Sequence, residues 1–152
     1  MIPTQTPLDL ARRFLGQHEK AGDTDNPLIV WMLQRVMPWA EHDESAWCAA
    51  FVDAICWMTG LPCAGSPRAR AWLRVGQPSI VEERETREGI YIAVLSRGEH
   101  QPGPDVLVAP GHVGILTGST ATTVRLISGN AGDAVTEADW PRSRVLGVRR
   151  LA

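Results

Sequence analysis

The sequence predicts an α+β fold, with helices in the first half and a small antiparallel sheet in the second. Three observations carry this. Residues 7–58 contain apolar residues at three- and four-residue spacing, the period of a buried helical face. After Gly76 the chain changes to short runs rich in β-branched residues. Two of those runs are joined by Gly118-Ser119-Thr120, a turn short enough for a hairpin, which makes the pairing antiparallel.

Pro7 opens a first helix, to about Leu15, with Leu8, Ala11, Phe14 and Leu15 on its apolar face and Gly16 at its end. A polar loop, residues 20–26, leads to Pro27, which suits a first helical turn with Asn26 as cap. Leu28, Ile29, Met32, Leu33 and Val36 form that helix's stripe, and Pro38 closes it. The third helix lies in Glu44–Trp57, ESAWCAAFVDAICW. Ser45 is its candidate cap, which makes Cys48 the third helical residue, with Asp53 facing away from the core and Thr59-Gly60-Leu61-Pro62 as the stop. A fourth, shorter helix is expected from Ser66, as cap, to Leu73. Strands are expected at Gly89–Leu95, His112–Thr117, Thr122–Ser128 and Val145–Arg149.

The chain has 152 residues, 44% of them hydrophobic and 21% charged, which fits one domain spanning 1–152 with a full core. The net charge of −2 argues against a nucleic-acid partner, since a phosphate-binding surface shows a basic excess. The arginines at 68, 70 and 74 and at 142, 144, 149 and 150 read as solvated faces and strand ends. The N-terminal MIPTQTPLDLARRFLGQHEK lacks an apolar run of signal-peptide length, and no segment approaches a membrane span of ~20 apolar residues. The expectation is synthesis in the cytoplasm without a signal peptide, and no membrane insertion. Three cysteines is an odd number, and reduced thiols are the default. There is no C-x-x-C and no His/Cys cluster of zinc spacing, and His18-Glu19 lacks a second His four residues on, so no metal or cofactor is expected.

Cys48 stands at the front of a core helix. A helix N-terminus favours a thiolate there, and its free N–H groups suit the oxyanion of a tetrahedral intermediate. Cys56, two turns on, has neither advantage and reads as packing. A nucleophilic cysteine needs a base. His18 and His42 lie in helix-end or loop sequence and His100 in a polar loop. His112 begins a strand, after Pro110-Gly111, where it can face a helix end. The next strand ends Ile127-Ser128-Gly129-Asn130. Asn130 is the first candidate to fix the His112 tautomer, with Ser128 and Asp133 as alternatives. Trp47, beside the nucleophile, either lines a substrate groove or packs under Cys48. Trp31, Trp57 and Trp72 read as core, and Trp39 and Trp140 as helix-end or loop residues.

Trp47-Cys48-Ala49-Ala50-Phe51, then Gly111-His112-Val113-Gly114, then Gly129-Asn130 resembles the NlpC/P60–CHAP superfamily of papain-like cysteine peptidases and amidases. Within it the pattern is similar to small CHAP-like proteins of phage lysis modules and bacterial toxins. The similarity extends to Gly22 and Asn26-Pro27 and to Gly65-Ser66 with Ala69-Arg70-Ala71-Trp72, over roughly residues 8–150. The resemblance implies a papain-like arrangement, with the nucleophile helix packed on the sheet. It implies hydrolysis of an amide bond in peptidoglycan by Cys48, His112 and Asn130, without a metal, by a phage endolysin or an exported antibacterial effector acting at the cell wall or periplasm. A cognate immunity protein or export machinery is the implied partner. Two other readings stand beside it: a non-catalytic cell-wall-binding or phage structural module on the same fold, and an acyltransferase or deamidase with the same triad.

Overall fold

The computed structural model describes residues 5–20, 25–40 and 47–152. The fold is α+β. Three helices lead the chain: α1 (Pro7–Arg13), α2 (Pro27–Val36) and α3 (Cys48–Met58). A 3-10 turn (Ala69–Arg74) connects them to the sheet, and a short α4 (Glu83–Thr86) lies between its first two strands. The sheet has strands β1 (Gln77–Ser79), β2 (Tyr91–Ser96), β3 (Gly111–Ser119), β4 (Thr123–Ser128), β5 (Thr136–Pro141) and β6 (Val145–Arg150). They lie in the order β1-β6-β2-β3-β4-β5, every neighbour antiparallel.

The helix ends are set by local chemistry. Thr6 and Asp9 form a capping box on α1, and Gly16 comes next in the left-handed region at φ +89°. The Asn26 side chain accepts from Leu28 N–H at 3.0 Å and donates to the His18 carbonyl at 2.9 Å, so one residue caps α2 and holds the preceding loop. Ser45 and His42 lie outside the described residues. Helix α3 begins at Cys48 with Trp47 at the cap position, so Cys48 is the first helical residue, two places earlier than the sequence suggested.

Every residue of α3 from Cys48 to Cys56 is buried. The helix is enclosed by α1, α2 and the sheet, which explains an apolar sequence all the way round. Asp53 belongs to that burial and does not face solvent: its carboxylate meets Arg35 at 3.3 Å and accepts Gly65 N–H at 3.0 Å. A buried carboxylate needs such partners. Trp72 is core as expected, but Trp31 and Trp57 sit on the outer surface, 38% and 56% exposed, with Arg35 over the Trp57 ring.

The sheet carries two cores. The larger, on the helix side, takes Ile92, Val94, Val113, Ile115 and Ile127 from the strands. The smaller, on the other face, takes Tyr91, Ala93, Leu95, Leu116, Leu126 and Val148. This is the alternation of a sheet covered on both sides. The β3–β4 hairpin forms, with Gly118 and Ser119 inside β3 and a bulge between Leu116 and Gly118. Strands β1 and β5 and helix α4 were not expected. Their sequences, QPS, TEADWP and ERET, are too short or too polar to announce themselves.

The expected helix from Ser66 is a 3-10 turn that starts three residues later; Ser66 only accepts Arg68 N–H, at 3.2 Å. Arg70 in that turn is fully buried and not on a solvated face. Its Nε donates to Pro110 O at 2.9 Å, and its Nη1 to the carbonyls of Pro102, Gly103 and Val106 at 2.8–3.1 Å. Its stem lies against Gly111, where a Cβ would meet Arg70 Cγ at 3.0 Å. One arginine thus ties down the loop that enters β3. Among the described residues no helix is long and apolar enough to cross a membrane.

Candidate active site

Strands β3 and β4 pair from Ser119↔Val124 only as far as Ile115↔Ile127. Beyond that they part, and the start of α3 fills the space. Gly129 makes this fit: a Cβ there would lie within 2.5 Å of the Trp47 ring and 2.8 Å of Phe51 Cβ. Helix α3 packs on β3 here, and the backbone N–H of Val113 lies close enough to the Cys48 sulfur to favour its thiolate. Cys48 therefore meets β3 one residue past His112.

Val113 and Ile115 point into the helix-side core, so alternation sends His112 and Gly114 to the other face. Thiol and imidazole approach the same stretch of strand from two sides. Among the described residues no hydrogen bond joins them. Instead His112 Nε2 is 2.9 Å from Ser128 Oγ, and the ring stacks on Trp140 at 4.4 Å. Ser128 reaches the ring because Gly114 lies beside it. A Cβ on Gly114 would come within 2.9 Å of the Cβ atoms of both Leu126 and Ser128. The second glycine of Gly111-His112-Val113-Gly114 is thus a seat for Ser128.

This corrects the expectation for Asn130. Its backbone is left-handed, φ +57°, a conformation asparagine tolerates better than most residues, and it comes after the glycine on which α3 packs. Asn130 lines the cleft in front of His112, but the imidazole's hydrogen-bond partner is Ser128. Trp47 is also corrected. It is fully buried, with Nε1 donating to Glu19 Oε1 at 2.6 Å, and so packs beneath the site with no surface for a ligand. Trp140 is the aromatic that faces the cleft, on β5 and not in a loop. Its only signal in the sequence was a tryptophan within a polar run.

Both reactive groups are buried, Cys48 at 3% exposure and His112 at 2%. Burial pushes the Cys48 thiol up; the N–H groups of Val113 and Ala49 and the charge of Arg97 act against this without overcoming it. Burial, followed by the charges of Arg97 and Arg144, pushes His112 down to about 4. Desolvation outweighs the N–H groups at the start of the helix, which favours a neutral thiol and a neutral imidazole.

Ser128→Ala leaves Nε2 without its partner and frees the ring to rotate. We expect any His112-dependent hydrolysis to fall about 10- to 100-fold, with changed His112 ring 15N shifts, because a general base contributes about 10²–10⁴ and only its orientation is lost. A second expected result concerns stability. The folded His112 takes its proton at about 4, the unfolded one at about 6.5. The unfolded chain binds this proton first, so the contribution is full above pH 6.5 and is lost as pH falls to 4. Wild type should lose up to about 3 kcal/mol more than His112→Gln across that window, read from urea midpoints at pH 7 and 4. Equal losses would mean that His112 is protonated in the folded state.

Comparison with known proteins gave no match to any family model, curated protein or solved structure.

Proposed function

We propose that this chain is a cysteine-dependent peptidoglycan hydrolase of the NlpC/P60–CHAP kind, cleaving an amide bond as an amidase or endopeptidase. The observation that carries the reading is the packing of α3 on β3, which sets Cys48 near Val113, the neighbour of a His112 that is hydrogen-bonded to Ser128.

In the proposed reaction, which requires the two side chains to close on each other around the start of β3, His112 keeps its Nε2 proton on Ser128 and takes the thiol proton at Nδ1. The Cys48 sulfur bonds to the amide carbon, and the oxyanion is held by backbone N–H groups at the start of α3. The imidazolium returns the proton to the amine as the C–N bond breaks. Water then hydrolyses the thioester, restoring the thiol and releasing a carboxylate. Ser128 takes the place in this scheme that Asn130 has in the sequence resemblance. Action as an endolysin or as an exported effector, with an immunity protein as partner, belongs to the same proposal.

The test is digestion of purified sacculi, with released muropeptides identified by mass spectrometry. A new amine and a new carboxylate at one bond support the reading and name the bond. An unchanged profile at micromolar protein overturns it.

A second reading has its own observation: thiol and imidazole are both buried and both neutral. It takes the fold as a non-catalytic cell-wall-binding or phage structural module. It predicts co-sedimentation with sacculi without muropeptide release, and binding unaffected by Cys48→Ala.

A further inference from the structure

The cleft in front of His112 holds charge that nothing described in the protein neutralises. It has a volume of about 490 Å³ and is lined by Arg97, Arg144, His112, Asn130 and Trp140, with small residues between and no carboxylate. Arg97 makes no ion pair among the described residues. Arg144 donates through Nε and Nη2 to Ser96 O, a neutral acceptor, and lies over the Trp140 ring. Two guanidinium charges thus converge in a chain whose net charge is −2. Such a site attracts an anion.

The rest of the lining indicates which kind. Trp140 and Ala131 give an apolar wall, and the Asn130 amide both donates and accepts. A bare inorganic anion uses none of this. A peptide group with a nearby carboxylate uses all of it, and the planar guanidinium fork matches a carboxylate.

We propose that Arg97 and Arg144 form a carboxylate-binding subsite beside His112, which selects peptide amides bearing a free carboxylate next to the bond to be cut. The part about the cut bond rests on the hydrolase reading above; the binding does not. Arg97, Arg144 and His112 line the same cleft, so a carboxylate bound there lies beside the candidate base; Cys48 is not in that lining, though the charge of Arg97 acts on it as well. The bound carboxylate also offsets the two positive charges that oppose an imidazolium. The groups facing His112 are Arg97 after β2, Ser128 on β4, Asn130 after it, Trp140 on β5 and Arg144 before β6, so the anion supplies the negative charge that these five lack. The substrate then helps to make its own base.

The test uses the full chain carrying Cys48→Ala, with His112 ring and Trp140 indole shifts followed by NMR. The probes are N-acetyl-D-alanine, its carboxamide and inorganic phosphate. We expect a saturable shift with the carboxylate, at least tenfold weaker binding of the carboxamide, and at least tenfold weaker carboxylate binding after Arg97→Gln. The apparent His112 pKa should rise on saturation. Equal affinity for carboxylate and carboxamide, indifference to Arg97→Gln, or a response to phosphate alone overturns the subsite. Sacculus digestion separates the two proposals. Carboxylate binding without digestion keeps the subsite and removes the hydrolase; digestion by a chain that ignores the carboxylate does the reverse.

Discussion

Cys48→Ala is expected to reduce the proposed muropeptide release at least 10³-fold while leaving the fold intact. Covalent catalysis has no substitute once the nucleophile is gone, and triad removals typically cost several powers of ten. Alanine is a good helix former at this first helical position, and the sulfur it removes is a small part of a large core, so stability should change by about 1 kcal/mol or less. Thermal denaturation of both proteins checks the second half. Wild-type digestion retained in the variant would sink the mechanism. The same residue gives a reactivity prediction opposite to the one its helix position suggests. Because burial raises the thiol, iodoacetamide should label Cys48 slowly at pH 7, more slowly than a free cysteine. Fast labelling below about pH 8 would mean that the site opens to solvent.

Arg70→Met should destabilise the protein by about 3 kcal/mol or more, read from urea midpoints. The methionine keeps most of the stem that packs on Gly111 and removes the guanidinium. Four carbonyls, those of Pro102, Gly103, Val106 and Pro110, then lose their donor. Hydrogen bonds from a charged group contribute about 1.5–3 kcal/mol each, and they do not add in full. Arg70→Lys should recover little, because a single ammonium cannot reach carbonyls on both sides as a planar fork does. Since the released loop ends at Gly111, we also expect His112 to lose its fixed position, seen as broadening of its ring signals. A midpoint shift worth less than about 0.5 kcal/mol, the size of a surface substitution, would show that the loop holds itself.

The two halves of the candidate site differ in how legible they were. Cys48 and His112 could each be singled out on sequence alone, because a small reactive residue before an apolar helix and a histidine before an alternating strand are local patterns; that they act as a pair belongs to the proposal. The hydrogen-bond partner of His112 could not be singled out. Asn130 looked better than Ser128 as a hydrogen-bonding residue, but the choice depends on where β3 and β4 part and on which side chain has room. Gly114 held the missing signal: a glycine two residues after the histidine opens the space that Ser128 fills. Trp47 and Trp140 exchange roles for a similar reason. Adjacency to Cys48 suggested the first, while the second comes from a polar edge strand that only sheet pairing brings to the cleft.

By itself the sequence determined the α+β order, the helices α1 and α2 with the Asn26 cap of the second, the core character of α3 and the β3–β4 hairpin, because each arises from periodicity and turn chemistry within a few residues. Only the tertiary structure decided that Cys48 is the first helical residue, that Arg70 and Asp53 are buried, and that His112 shares a cleft with two arginines and no carboxylate. It also decided the sign of the electrostatics. The helix N-terminus is a local feature and favours the thiolate. Desolvation depends on everything packed around the sulfur, and here it is the larger effect.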